Sequence, residues 1–343
     1  MVLDRVREVR VMKKLIIAAL ISLLFSGCVS IGRQKVTVAQ PLMTPAQLQS
    51  LVAAQLSKFS NSLVDTVYLQ KSTTTANVIA VVSISGEITE GDDGDESMLE
   101  DVKLMLQVAR DDFRVKAIIL KVESPGGGIN ASNLIWNEVM KFKKSGKPIV
   151  AFFNGIAASG GYYVSVPADK IVATPETWTG SIGVIMHGLN YYGLMEMLGI
   201  KDVTIKSGDR KDMLSSYKPS DEEDVRIAQV LIDLAYERFV QKVAQGRHMD
   251  SSIVRILADG RIYDAQQALD HKLIDQIGYI EDSFELAKNL ANVSDVSLIH
   301  LKKKKKPVAF NLFGGEFNSR PLIDIKQLLP LRSPGLYYLW RAN

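Results

Sequence analysis

The chain has 343 residues, with 41 basic against 38 acidic side chains, a net charge of +3, 47% apolar and 23% charged residues. This balance excludes a disordered or collagen-like chain and leaves no electrostatic footprint for a nucleic acid. A single cysteine excludes an intramolecular disulfide and a cysteine-built zinc site, and four scattered histidines without HExxH spacing argue against a histidine-rich metal site, so no metal or cofactor is expected.

The N-terminus reads as a leader. Lys13 and Lys14 precede an apolar run from Leu15 to Phe25, broken only by Ser22, and Ser26, Gly27 and Cys28 follow. A positive segment, a short apolar segment and small residues form a secretory signal layout. About 11 apolar residues are too few to span a bilayer, which takes roughly 20. Small-small-Cys after such a run resembles a bacterial lipobox, in which Cys28 is lipidated and becomes the mature N-terminus. An ordinary signal peptide or an uncleaved anchor, with Cys28 incidental, is the competing reading. Residues 1–27 are thus expected to be a signal peptide, with Met12 as an alternative start. The mature chain is expected to be a membrane-anchored lipoprotein facing the extracytoplasmic or periplasmic side of the cell envelope.

Residues 28–76 read as a lipidated N-terminus, a tether and a helix. Thr44-Pro45-Ala46-Gln47 carries helix-start signals, Leu48, Leu51, Val52, Leu56, Phe59 and Leu63 recur at helical spacing, and 71–76 is a Thr-rich linker. From Asn77 strands and helices alternate. Val78–Ile84 predicts a strand, and Ser97 with Glu100 predicts a capping box opening a helix to Arg110. Val115–Val122 predicts a buried strand, a helix follows to Lys144, and Ile149–Phe153 is the next strand. Val203–Lys206 predicts a short strand, Ser220–Glu223 caps a long helix to Gln245, and two short helical units follow near Ile253 and Ala265. This alternation predicts an α/β fold with a mostly parallel sheet and helical crossovers. Residues 77–290 form the expected main domain, and 291–343 a C-terminal strand and basic tail. Five consecutive lysines, Lys302–Lys306, read as a solvated run, with an anionic lipid contact as the alternative.

Three glycine-rich turns carry chemistry. Ser124-Pro125-Gly126-Gly127-Gly128 leaves backbone N–H groups free to hold an anion or a developing oxyanion. It loosely fits a dinucleotide fingerprint, but no acidic residue ends the next strand. In Asn154–Tyr163, Ser159 stands among tiny residues at a helix start, an opening a nucleophile needs; a tight packing turn would look the same. Thr179-Gly180-Ser181-Ile182-Gly183 supplies another hydroxyl in a glycine frame. No GxSxG elbow and no SxxK pattern surrounds Ser159. A distant lysine is a competent base when its amine is neutral. Lys211, in Lys206-Ser207-Gly208-Asp209-Arg210-Lys211-Asp212, stands out, although a surface-loop lysine is the plainer reading.

SPGGG, AASGGYY, TGSIG and KSGDRKD, in this order, resemble the signal peptide peptidase A (SppA) family of bacterial serine proteases in its short, single-repeat form. Ala258–Tyr263, Gln267–Leu269 and Leu273–Gly278 fit as well, so the resemblance covers about residues 77–290. It implies a ClpP/crotonase-like fold of repeated β-β-α units with a Ser-Lys dyad. Ser159 maps to the nucleophile, Lys211 to the base and Ser181 to the serine that orients the lysine. Gly126 and Gly127, with the Gly160 N–H, map to the oxyanion hole. The implied substrates are remnant signal peptides and other apolar peptides. The implied assembly is a ring-shaped homo-octamer whose sites are completed between subunits. Two other functions stay in view: a crotonase-like acyl-CoA enzyme, which needs no serine nucleophile, and a non-catalytic envelope lipoprotein that scaffolds partners.

Overall fold

Strand β1 (Val64–Gln70) is the exposed antiparallel edge of the main sheet, and β2 (Val78–Ser85) and β3 (Val115–Ser124) are its buried centre. The last two are near-continuous runs of Val, Ile, Ala and Leu, as expected of parallel strands covered on both faces. The computed structural model describes residues 64–73, 76–91, 97–304 and 335–339. The leader, Cys28 and the helix read from Thr44 lie outside the described residues.

Helix α1 (Met98–Asp111) connects β2 to β3, and a three-residue strand β4 (Gly126–Gly128) leads directly into α2 (Ile129–Lys143). Strand β5 (Ile149–Ala158) runs into the short α3 (Gly160–Ser165), and β6 (Lys170–Ala173) and β7 (Trp178–Gly180) follow. Next come β8 (Ile185–His187), α4 (Tyr192–Met197), the long α5 (Glu222–Arg247) and α6 (Ser251–Leu257). The C-terminal part holds β9 (Ile262–Asp264), α7 (Ala265–Asp270), β10 (Gln276–Ile277), α8 (Ile280–Leu290), β11 (Ser297–Lys303) and β12 (Gly335–Leu339).

The main sheet runs β1-β11-β2-β3-β5-β6-β10, with β7 paired parallel to β5 and β9 paired to β7; all its pairings are parallel except β1 with β11 and β7 with β9. Strand periodicity divides its side chains between two faces. Val82, Ile84, Leu120, Val122 and Phe153 join the core that also holds Leu106 and Ile135, from α1 and α2. Ile79, Val81, Ile119, Val150 and Phe152 meet Phe284 and Ala287 of α8 on the other face. The expected α/β class, mostly parallel with helical crossovers, is what the chain adopts. A second sheet of three short strands, β4-β12-β8, lies at the end of the first, and both of its pairings are antiparallel.

Three local expectations differ from the structure. Val203–Lys206 forms no strand: these residues are exposed and pair with no strand among the described residues, so β-branched propensity alone does not order them. The Ser97/Glu100 capping box is not made; Ser97 Oγ donates to Glu90 O at 2.5 Å, and Glu100 instead takes Lys103 at 3.2 Å. The lysine run begins inside β11, and its described members Lys302–Lys304 are exposed, Lys303 also pairing with Asp101 at 2.7 Å. Strand β1 lies within residues 28–76, the stretch expected to hold a tether and a helix and no strand.

Candidate active site

Ser159 sits where β5 turns into α3, and its backbone is strained. It has φ 52° and ψ −114°, outside the regions open to residues with a Cβ. Such a conformation costs on the order of 1–3 kcal/mol and persists only where neighbours hold it. Here the Ser159 N–H donates to Gly180 O and the Tyr163 N–H to Ser159 O, both at 2.8 Å. The tiny residues around it are demanded by contact. A Cβ on Gly161 would come 2.7 Å from Ser124 O, and one on Gly160 2.6 Å from Ser132 Oγ. Ser159 is 1% exposed, and its Oγ has no hydrogen-bond partner among the described residues.

The pairing of β5 with β7 sets Ala158 against Gly180, so Ser159 and Ser181 each follow one step past that rung. Ser181 too has positive φ, 47°, and its N–H donates to Arg261 O at 2.7 Å. The second and third glycine segments are therefore parts of one site, and β9 with the preceding Arg261 braces the second of them from behind.

The first glycine segment completes the group. Ile88 N–H donates to Gly126 O at 2.8 Å, and Gly128 N–H donates to Ile88 O at 2.9 Å. Backbone groups alternate in direction along a strand, so Gly127 N–H and C=O face the other way, toward β12. Gly127 is there paired with Tyr338. A Cβ on Gly127 would lie 2.0 Å from Ile88 O, which only glycine avoids. A Cβ on Gly126, whose φ is +103°, would lie 2.0 Å from Tyr338 O and 2.7 Å from Gly160 N. The backbones of Gly126, Gly127, Gly160 and Tyr338 thus pack together next to Ser159. Ser132 Oγ, fully buried and without a partner among the described residues, forms part of the same wall.

Lys211 is not part of this cluster. It lies exposed on the irregular segment between α4 and α5, and among the described residues no hydrogen bond or ion pair reaches its amine. The charges around it are committed elsewhere. Lys206 and Lys218 take Asp212 at 2.9 and 3.2 Å, and Arg210 takes Asp221 and Asp224 at 2.7 and 2.8 Å. The Lys206 hydrogen bond, with Lys218, holds the Asp212 carboxyl below its ordinary value. The end of α4 and this segment expose large apolar side chains: Met197 is 85%, Val203 84% and Ile205 96% accessible.

Of the residues singled out from sequence, the fold brings together Ser159, Ser181, Gly126, Gly127 and Gly160. Sequence reasoning missed Ile88, which fixes the direction of Gly127, and Tyr338, whose backbone pairs with Gly127. The β-prone run Leu336-Tyr337-Tyr338-Leu339 after Pro334-Gly335 was the available signal for the latter. Chemically, the arrangement offers a buried hydroxyl beside glycine backbone, a setting in which amide donors serve acyl transfer. Among the described residues, no group of three or more His, Cys, Asp or Glu could hold a metal, and no helix is long and apolar enough to cross a membrane.

Comparison with known proteins gives the following. The profile of peptidase family S49 matches residues 141–294. A protein of Enterococcus faecium, named as a candidate signal peptide peptidase SppA, is 49% identical over 212 residues, covering 62% of this chain and 61% of that protein. The chain therefore spans about three-fifths of that relative's length. A candidate protease of Synechocystis is 34% identical over 253 residues, covering 74% of this chain and 88% of that protein. Among solved structures, a ClpP1 mutant from Listeria monocytogenes aligns with a TM-score of 0.40 at 18% identity, over 59% of this chain and 93% of that chain.

Proposed function

The chain belongs to peptidase family S49, and from that membership we propose that it is a serine endopeptidase in which Ser159 is the nucleophile and Lys211 the base. The observation that carries the reading is the strained, buried Ser159 with the glycine backbones of Gly126, Gly127 and Gly160 packed beside it, the Gly127 and Gly160 N–H groups being the proposed oxyanion donors. Ser159 Oγ attacks a peptide carbonyl, and the two N–H groups stabilise the oxyanion, each being worth about 3 kcal/mol in the transition state. The lysine amine takes the serine proton and returns it to the leaving amine, and water then hydrolyses the acyl-enzyme.

The base comes from a second copy of the chain. Lys211 makes no bond to Ser159 within one protomer and sits among exposed apolar residues that a neighbour would cover, which supports a homo-oligomeric ring, an octamer, with sites shared between subunits. Ser181, one rung from Ser159, would orient the incoming amine. Remnant signal peptides and other apolar peptides are the proposed substrates, bound as added strands between β4 and β8. The leader and Cys28 support a lipid-anchored enzyme on the outer side of a membrane; a single acyl chain anchors only marginally, so Cys28 would carry more than one. Cys28→Ala should lose acyl labelling.

Co-expression tests the shared site. Ser159→Ala and Lys211→Ala chains should each be inactive on an apolar peptide, and their co-assembled mixture should regain part of the activity. A mixture that stays inactive, or a monomer active at full rate, contradicts the assignment.

A further inference from the structure

Ser132 carries a buried hydroxyl that the reaction outlined above does not use. It stands in the first turn of α2, the helix that begins directly after the glycines of β4. The residue is fully buried, and its Oγ has no hydrogen-bond partner among the described residues. Ser124 and Thr179, buried hydroxyls of the first and third glycine segments, are both committed: Ser124 Oγ accepts from Gly126 N–H at 3.1 Å, and Thr179 Oγ1 donates to Ala157 O at 2.6 Å. Leaving a buried hydroxyl without a partner costs about 1–3 kcal/mol. An orphan at this place therefore calls for a partner that the free chain does not supply.

The position of Ser132 says which partner. A Cβ on Gly160 would lie 2.6 Å from Ser132 Oγ and 3.1 Å from Gly126 Cα. The hydroxyl thus packs directly on Gly160, one residue past the nucleophile, within about 4 Å of its Cα. Gly160 N–H is one of the two proposed oxyanion donors, so whatever holds Gly160 also aims that donor. A serine O–H rotates to suit its acceptor. No acceptor meets it among the described residues, but once Ser159 has attacked a peptide, a negative charge stands at the Gly160 N–H. The first turn of α2 is the positive end of that helix and favours the same charge.

We propose that Ser132 is a further positioning residue of the peptidase reaction: its hydroxyl braces Gly160 from behind, keeps that N–H on the oxyanion, and turns its own dipole toward the charge as the charge forms. The proposal rests on the peptidase reading above and adds to it a group from α2, outside the segments that hold Ser159 and Ser181. Ser132 then stabilises the transition state and leaves the binding of the uncleaved peptide unchanged, which separates it from a residue that only fills space.

Two variants of the full chain test this. Ser132→Ala removes the hydroxyl, and Ser132→Cys keeps a side chain of similar shape whose S–H is a weak donor. Both should lower kcat on an apolar peptide about tenfold, less than the loss of a direct oxyanion donor, with KM within about twofold of wild type. A peptide boronic acid, whose tetrahedral adduct on Ser159 carries the negative charge, should bind both variants about tenfold more weakly than wild type. Wild-type kcat and wild-type boronate affinity in Ser132→Ala overturn the proposal. So does wild-type kcat in Ser132→Cys, because volume and not the hydroxyl would then matter, and so does a rise in KM alone. Ser132→Cys decides the matter if the alanine variant does not fold. Turnover by the wild-type chain that Ser159→Ala abolishes secures the peptidase reading by itself, so a failure at Ser132 leaves that reading standing. A wild-type chain with neither turnover nor a boronate adduct overturns both.

Discussion

Replacing Gly127 by alanine separates the oxyanion donor from the rest of the site. An alanine Cβ there would lie 2.0 Å from Ile88 O and 2.7 Å from both Ile88 C and Ile88 N. All three are backbone atoms of a residue that is itself fully buried, so neither partner can swing aside. Strand β4 must move away from Ile88, and the Gly127 N–H moves with it. Overpacking of this kind costs about 1–3 kcal/mol of stability, a shift of several degrees in melting temperature for a unit of this size. The loss in catalysis is larger: removing one oxyanion donor costs about 10²–10³ in kcat. The neighbouring glycine is the control. A Cβ on Gly128 would meet Ile88 O and the Ala131 Cβ at 3.9 and 4.0 Å, ordinary contact, and its φ of −60° suits any residue. Gly128→Ala should therefore keep kcat within about twofold. Peptide turnover and thermal melting of the two variants, side by side, make the measurement. A folded Gly127→Ala enzyme with kcat near wild type, or an equal loss in Gly128→Ala, would refute the assignment of this N–H.

Ser181→Ala should lower kcat by about tenfold with little change in KM, because the hydroxyl orients a base rather than binding substrate; an altered KM alone would point to a binding role. Asp275 joins β6 to the segment before β10, accepting from Ile171 N–H at 2.8 Å and from Arg247 at 2.9 Å. Burial works to raise its pKa, yet the Arg247 hydrogen bond and charge, with Ile171 and Lys170, hold it below the ordinary value. A depressed folded pKa gives stability that is present above the unfolded value near 4 and lost as pH falls through the folded one. Asp275→Asn should thus be less stable by about 2 kcal/mol at pH 7, and urea unfolding should show the difference shrinking toward pH 3; a gap that persists there contradicts the linkage. Gly246→Ala should destabilise by about 1–3 kcal/mol despite alanine's better helix propensity, since its Cβ would lie 2.2 Å from Val166 O; a raised melting temperature would show that α5 can shift.

Patterns that are local in sequence were readable. The buried strands announce themselves as apolar runs, and Ser159, Gly160 and Gly127 stand in segments so poor in side chains that close approach is their evident purpose. What could not be read was pairing at long range. Strand β1, whose side chains are exposed after Val64, exists because β11 lies beside it, and Val64 meets Lys303 across most of the chain. Val203–Lys206 has the composition of a strand and lacks a partner among the described residues, so it is not one. Strand β12 is the sharper case. Its five residues follow a glycine- and proline-containing stretch, and only the empty edges of β4 and β8 give them a structure. The capping residues divide along the same line: Asp221 caps α5 through the Glu223 and Asp224 N–H groups as its local sequence predicts, whereas the Ser97 hydroxyl is drawn off by Glu90 O from another loop.

Ser159 is expected to form the acyl-enzyme, and trapping that intermediate puts the assignment to the test. An apolar peptide presented as an activated ester, quenched in acid early in the reaction and followed by peptide mapping, should place one acyl group on the fragment containing Ser159 in the wild-type chain and none in Ser159→Ala, which should also lose turnover. An acyl group on another residue, or undiminished turnover in Ser159→Ala, would contradict the account.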